Sequence, residues 1–287
     1  LKNKMRKNMN QPIKTIGKKM FLYFLLLIGL FFTVTPFLYM LSTSLKENIF
    51  VFEFPPKFIP SNPTLQNYLT VLTTRQFDRY FMNSVFVTLL TTFSVVLMSS
   101  MMAFAFSRFT FKRKKLLSGL IRLFMMMPSM TLIVPQFILA SKMNLLNNLW
   151  GVIMVYIAQN LSLSVFLLTG FFKQIPVEIE EAAKIDGASP WQVFARIILP
   201  LSTPALATSA IFTSLGAWDE YVWAMTILNK PEMRTLPVGI ASFHGQFVTD
   251  WGLVFAASVI AITPIIILFI FFQKYFVKGI TAGSVKG

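Results

Sequence analysis

Apolar residues in this chain gather in long unbroken runs. They do not alternate as in a half-buried strand, and they do not form the narrow stripe of a surface helix. About twenty consecutive apolar residues are enough for a helix to cross a bilayer. Six such runs are present: Met20–Leu41, Met82–Ser107, Leu116–Ala140, Leu149–Phe172, Leu201–Leu228 and Leu253–Phe272. Their continuity argues against a membrane barrel, whose strands alternate over about ten residues. Pro36 falls late in the first run, Pro128 and Pro135 interrupt the third, Pro204 lies in the first turn of the fifth, and Thr263-Pro264 sits in the middle of the sixth. The pattern predicts an all-α, polytopic membrane protein with six transmembrane helices. It divides the chain into a basic segment over 1–19, a helical domain over 20–274 that includes a polar loop at 173–200, and a tail over 275–287.

Composition agrees with this pattern. The chain is 55% hydrophobic and only 13% charged, where a soluble domain carries about 25% charged residues. It has no cysteine, which rules out disulfides and thiolate metal sites. The net charge of +15 raises the question of nucleic acid, and the placement of the bases answers it. The first nineteen residues hold seven Lys or Arg and no acid, and Arg108–Lys115 holds five more. Ser141–Asn148 holds only Lys142, Asn229–Trp251 only Lys230 and Arg234, and Leu45–Phe81 four bases against three acids. The positive-inside rule then puts both termini and Lys173–Pro200 in the cytoplasm and the three poorer segments outside. The basic runs read as topology signals and contacts to anionic headgroups rather than a nucleic-acid surface. The run after the basic N-terminus is too long for a signal-peptide core and lacks an A-x-A-like site, so it reads as a retained anchor.

One cytoplasmic stretch stands out, "EEAAKIDGASPWQVFARIILP" from Glu180 to Pro200. Pro176 opens a helix whose first turns carry Glu178, Glu180 and Glu181, where negative charge suits the helix dipole. Ile179, Ala182, Ala183 and Ile185 give that helix a small apolar face. Gly187 supplies a position open to positive φ and ends it. Ser189 caps a second helix, with Pro190 at its first position and Gln192 three residues after the cap. Trp191, Phe194, Ile197 and Ile198 form its apolar stripe, and Leu199-Pro200 ends it. A helix–turn–helix anchored at both ends by membrane spans can be merely an ordered loop, but small Ala residues beside acids also make a shallow docking knob.

These residues carry a resemblance. Glu181-Ala182-Ala183, Asp186-Gly187-Ala188 and Ile197-x-Leu199-Pro200 are similar to the EAA loop of the membrane subunits of binding-protein-dependent ABC importers. "TPFLYMLSTSLK", "NPTLQNY", "PSMTLIVPQF" and "GAWDEYVWAMTIL" resemble the sugar-importer branch. "FVKGITAGSVKG" resembles the end of the second membrane subunit of maltose-type carbohydrate systems. The resemblance covers nearly the whole chain from Pro36 on. It implies a type I ABC importer permease fold in the cytoplasmic membrane. The implied partners are a second, related permease subunit, two ATPase subunits, an extracytoplasmic solute-binding protein, a sugar substrate and membrane lipid. The chain itself is then no enzyme and binds no cofactor: ATP and magnesium belong to the ATPases. It has no G-x-x-x-x-G-K-[ST] loop, in agreement with that division. Coupling to the ATPases is implied for Glu181, Ala182, Ala183, Asp186, Gly187, Ala188, Leu199 and Pro200. Docking of the tail between the ATPases is implied for Gly279, Thr281, Ala282, Gly283 and Ser284.

The substrate path is read from the residues. Charges at membrane depth face a bundle interior or water, and Asp219 and Glu220 are the main acids inside a run. With Trp218, Tyr221 and Trp223 around them they offer carboxylates and aromatic faces, which suit a sugar. An interfacial Trp/Tyr belt is the competing reading. Arg122 reads as snorkelling, Met125–Met127 as packing or lipid contact, and Asn160, Ser162 and Ser164 as a polar path or as helix contacts. Thr64 caps a short exterior helix. A metal site or relay would need more than the single exterior His244, and a secondary transporter would need inverted repeats or a titratable relay. An importer of another sugar-like polar solute, such as a glycerol phosphate, would show more bases along the path.

Overall fold

The computed structural model describes residues 2–47, 57–73, 76–245 and 249–282, with side chains over 17–47, 57–73, 76–245 and 249–273. Among these, regular structure is helical, with one isolated bridge between His244 and Thr249. The α-helices are α1 (Lys2–Ser44), α2 (Gln66–Thr73), α3 (Phe77–Arg108), α4 (Lys114–Met126), α5 (Ile133–Lys142), α6 (Leu149–Phe172), α7 (Val177–Ile185), α8 (Pro190–Val193), α9 (Leu199–Leu201), α10 (Thr203–Asp219), α11 (Val222–Ile227), α12 (Leu236–Ala241) and α13 (Trp251–Ala282).

Four of the predicted spans are continuous helices: Gly17–Ser44 within α1, α3, α6, and Trp251–Gln273 within α13. The other two are not single helices. In the third run, α4 and the Ser129–Lys142 piece meet at 101°. Met127 and Pro128 are both extended there, each with ψ 127°. Pro128 lacks an amide hydrogen and bars its predecessor from the helical region, so the run must turn. Pro135 falls in the first turn of α5, where a missing N–H goes unnoticed. In the fifth run, α10 stops at Asp219, Glu220 is extended, and α11 resumes at Val222.

The expected stop at Leu199-Pro200 is also corrected. The helix begun at Pro190 runs on to Leu201 and meets α10 at 77°, with the bend at Ser202. It passes Pro200 by winding a π turn over Phe194–Ile198, in which the Leu199 N–H reaches back to the Phe194 carbonyl. A π turn drops one ladder bond, which matches the donor that Pro200 lacks. At the chain ends, α1 is helical from Lys2 with no break at residue 19, and α13 carries the helix into the expected tail as far as Ala282.

The chain forms two compact units. The first comprises Leu1–Val71 and His244–Val259. The membrane part of α1 is apolar on every side; Phe21, Phe31 and Phe32 all stand in the open, Phe32 at 72% exposure. A helix with no polar face requires a nonaqueous surround. Its end is tied down by polar bonds. Buried Asn67 donates to the carbonyls of Ser44 (2.9 Å) and Lys46 (2.7 Å), and Ser44 pairs with the Tyr68 hydroxyl at 2.6 Å. Thr64 accepts from the Gln66 amide at 3.1 Å, as the cap reading predicts.

The second unit comprises Leu72–Phe243 and Ile260–Gly287. Its core is the packing of α3, α6 and α10 on one another. One apolar cluster centres on Val87, Ile153, Tyr156, Trp223 and Ile227. A second, at the other end of α6, centres on Phe104, Leu168, Phe172, Phe194 and Ile198. Between them lies a seam of small hydroxyl residues: Thr91 and Ser99 on α3, Ser164 on α6, Ser209 and Thr213 on α10, all buried. Small side chains let the three backbones approach, which is how helices associate without a hydrophobic drive. Ser164 and Thr213 lie 3.4 Å apart across the seam.

The base-poor loops meet at one end of this unit. The Asn147 side chain accepts from the amides of Asn229 (2.7 Å) and Lys230 (2.9 Å). Asn83 donates to the carbonyls of Glu232 and Arg234, and Ser84 accepts from the Leu236 amide at 2.7 Å. Gly151, in the first turn of α6, lies under Leu145: an added Cβ would stand 2.5 Å from the Leu145 carbonyl oxygen. Gly151→Ala should therefore cost about 1–3 kcal/mol and lower the unfolding temperature in detergent by several degrees. Gly119→Ala, where nothing lies within 4 Å, should leave it unchanged; equal melting of the two variants would contradict this packing.

Candidate functional site

The helical elbow over 176–201 is built from local signals. Pro176, extended at ψ 133°, caps α7. The helix ends in a Schellman motif: the Ala188 amide donates to the Ala183 carbonyl at 2.9 Å and the Gly187 amide to Lys184 at 3.0 Å. Gly187 has φ +85°, the left-handed conformation expected of it. Ala183 and Ala188 both pack on the second apolar cluster, which supplies the contact that accompanies this motif. Ser189 then forms a capping box: its amide donates to Gln192 Oε1 at 2.7 Å, and its hydroxyl accepts from the Gln192 amide at 3.3 Å. The apolar stripe of the second helix divides: Phe194 and Ile198 are buried, while Trp191 is 61% exposed.

Glu178, Glu180 and Glu181 do not act alike. Glu178 and Glu181 are exposed, but Glu180 is buried to 1% exposure. Its carboxylate takes the Nε–H of Arg108, the last residue of α3, and a second Arg108 nitrogen donates to the Ile175 carbonyl at 3.0 Å. This pair fastens the elbow to the end of a membrane helix. Sequence reasoning assigned Arg108 to the basic cluster and Glu180 to the helix dipole; no spacing could join residues 72 positions apart. With Glu180 turned inward, α7 presents Ile179, Glu181, Ala182 and Ile185 outward, and Ile185 is 87% exposed. Asp186 and Gly187 are exposed beside them, as is Pro200, whereas Leu199 packs against the second apolar cluster.

The break in the fifth run gathers the other candidates. Glu220 bridges α10 and α11: one carboxylate oxygen accepts from the Trp223 amide at 2.7 Å, and the other from the Ala224 amide at 3.2 Å and from the buried Tyr156 hydroxyl. It caps a helix restart. Trp218 and Trp223 are turned into the packing, their indole N–H groups donating to Ala261 (3.1 Å) and Gly151 (3.2 Å) carbonyls. Trp218 also meets the Phe81 ring edge-on at 5.8 Å. Asp219 and Tyr221 are exposed at the break, with Gly216 and Asn160 beside them: an added Cβ on Gly216 would stand 3.1 Å from Asn160 Oδ1. A helix broken at membrane depth marks a place where backbone faces a cavity or protein rather than lipid. For the tail, Gly279, Thr281 and Ala282 lie on the helical backbone of α13, and Gly283 and Ser284 lie outside the described residues. Among the described residues no group of three His, Cys or acidic side chains forms a metal cluster.

Long apolar helices, several of them broken, together with a capped polar elbow define a polytopic membrane protein. Residues 95–282 match the family model for the binding-protein-dependent transport system inner membrane component, and the chain belongs to that family as an integral membrane ABC transporter permease. It is 39% identical to a putative ABC transporter permease protein, ORF2, of Caldicellulosiruptor sp. strain Rt8B.4, over 88% of this chain and 91% of that protein. It is 37% identical to the trehalose/maltose transport system permease protein MalG of Thermococcus litoralis, over 88% and 91% of the two chains. Its fold is similar to a subunit of a bacterial ABC transporter that imports the acidic polysaccharide alginate, with TM-score 0.79 at 24% identity over 90% and 95% of the chains.

Breaking a buried ion pair by removing one partner costs roughly 3–5 kcal/mol. Glu180→Ala should therefore free the elbow, and protease accessibility around 176–201 should rise while α3, α6 and α10 stay protected. An elbow that stays as protected as the parent's would show that the Arg108–Glu180 contact does not hold it.

Proposed function

We propose that this chain is one of two membrane subunits of an ATP-driven importer that carries a disaccharide or oligosaccharide across the cytoplasmic membrane. The observation that carries this reading is the elbow itself, a rigid pair of capped helices that exposes Glu181, Ala182, Ile185, Asp186 and Gly187. Two cytoplasmic ATPase subunits, which bind ATP and magnesium, receive this surface, and an extracytoplasmic solute-binding protein delivers the sugar. Both termini lie in the cytoplasm. The relatives support the substrate class: besides the trehalose/maltose protein, the chain is 35% identical to the arabinooligosaccharides permease protein AraQ of Halalkalibacterium halodurans, over 80% of this chain and 82% of that protein.

In this reading the ATPases close on the elbow, and the motion passes through the Arg108–Glu180 pair to α3 and through the continuous Pro190–Leu201 helix to α10. The solute shifts the equilibrium between access states by its differential affinity for them. Asp219 and Tyr221 face the path, Glu220 holds the break open in a fixed geometry, and Trp218 and Trp223 brace it. The tail segment Gly279, Thr281, Ala282, Gly283 and Ser284 docks against the ATPases.

Gly187→Asp should leave assembly intact and abolish the coupling of ATP hydrolysis to uptake, because a Cβ at φ +85° costs about 1 kcal/mol or more. Sugar uptake at the parent's rate in an assembled complex would refute the coupling role. Asp219→Ala should lower uptake severalfold with normal assembly, read by transport in proteoliposomes. Undiminished transport would remove Asp219 from the path.

A further inference from the structure

A cavity of about 700 Å³ opens between α4 and α6 near the end of α3, on the same side of the chain as the elbow. It belongs to none of the surfaces assigned so far. Three cations line it, Lys114 and Arg122 from α4 and Lys173 just past α6, and no carboxylate does. Among the described residues neither the Arg122 nor the Lys173 side chain has a hydrogen-bond or ion-pair partner, and the Lys114 side chain donates only to the Phe109 carbonyl, at 2.8 Å. Lys114, Ser118 and Arg122 are spaced four apart, so they form one row on one face of α4. That row runs about 12 Å along the helix and carries positive charge two turns into an apolar segment.

Arg122 and Lys173 are exposed on the protein, and against hydrocarbon a cation with no acid beside it is costly unless an anion arrives. The rest of the lining says which kind. Phe106, Phe166 and Phe171 supply apolar wall, Ser118 and Gln174 supply polar groups among the cations, and the Thr169 hydroxyl is buried without a partner. Phe166 lines the cavity and is also 49% exposed, so the mouth opens on the outer surface of the helix pair. The cavity face of α4 continues as apolar surface: Ile121 lines the cavity, Met125 lies one turn beyond Arg122, and Leu117 flanks the row, the last two exposed. Phosphate chemistry fits the cations, and acyl chains fit the apolar surface that continues from the mouth.

We propose that this cavity is a binding site for an anionic phospholipid, with Arg122, Lys173 and Lys114 around the headgroup phosphate and the acyl chains lying against Phe166, Leu117 and Met125. Anionic headgroups are known to favour basic pockets between membrane helices. The site requires only that the chain is embedded in a membrane. It therefore stands or falls separately from the sugar substrate and the coupling role.

The test measures phosphatidylglycerol against phosphatidylcholine binding to the full chain in detergent by native mass spectrometry. The same titration is run on the Arg122→Gln/Lys173→Gln double variant, on a charge-keeping Arg122→Lys/Lys173→Arg variant, and on Lys112→Gln/Lys115→Gln, which removes two exposed cations outside the cavity. The parent should prefer phosphatidylglycerol. The neutral double variant should lose roughly thirtyfold in that affinity, two cations' worth at the usual strength of surface attraction. The charge-keeping and Lys112/Lys115 variants should stay within about threefold of the parent, a small change on the same scale. Equal binding of the two lipids by the parent would overturn the proposal. So would an unchanged neutral variant, or a loss as large in the Lys112/Lys115 variant, which marks general attraction to the basic run. Displacement of the lipid by millimolar glycerol 3-phosphate would assign the cavity to a free phosphate ester instead.

Discussion

Inside hydrocarbon every backbone N–H and C=O must find a partner within the protein, and each interruption of a helix has to be answered at the point where it occurs. This constraint organises the molecule. At Glu220 the side chain answers it, its two carboxylate oxygens taking the amides that open α11. At Ser202 backbone and side chain answer it together: the Ser202 amide donates to both the Ile198 and Leu199 carbonyls, and the Thr203 hydroxyl donates to the Pro200 carbonyl at 2.7 Å. At Met127–Pro128 a short 3-10 turn over Ser129–Leu132 restarts the run.

The breaks also decide what can move as a unit. The helix from Pro190 to Leu201 is continuous through its π turn, and its buried residues Phe194 and Ile198 sit in the same apolar cluster as Phe104 of α3 and Phe172 of α6. Phe194 and Phe104 meet with ring centroids 5.2 Å apart, tilted at 40° to each other. The Arg108–Glu180 pair adds a directional bond that fat-on-fat packing lacks. An elbow held in this way cannot tilt without pulling on α3 and α10, which is what the proposed coupling requires. Fixing the elbow by a buried charge pair also makes its position specific, because neither charge tolerates separation in a dry site.

The polar seam along α3, α6 and α10 gives the interior a different character from a soluble core. Ser100, Thr208 and Ser214 return their hydroxyls to carbonyls of their own helices, at 2.8, 2.8 and 2.9 Å. These three serve as small spacers with internally satisfied groups, so the helices can lie close, whereas the buried Thr91 and Ser209 hydroxyls find no partner.

The sequence by itself determined the class of fold, because a twenty-residue apolar run has few stable conformations in lipid, and it determined the elbow in detail, because Gly187, Ser189, Pro190 and Gln192 act through bonds to residues no more than five positions away. The same locality marked Pro128 as an interruption of the third run, but not the 101° turn that the two pieces make there. It failed where a long-range partner decides. Glu180 is an ordinary first-turn acid until Arg108 is beside it, and Glu220 is an ordinary buried acid until α10 breaks and its carboxylate becomes the next helix's cap. Trp218 and Trp223 look equivalent to Tyr221 in the sequence, yet only the packing of Ala261 and Gly151 against them fixes where their indoles point. Charge pairing, side-chain direction and cavities such as the one beside Arg122 depend on which helices meet, and local propensity carries no information about residues seventy positions apart.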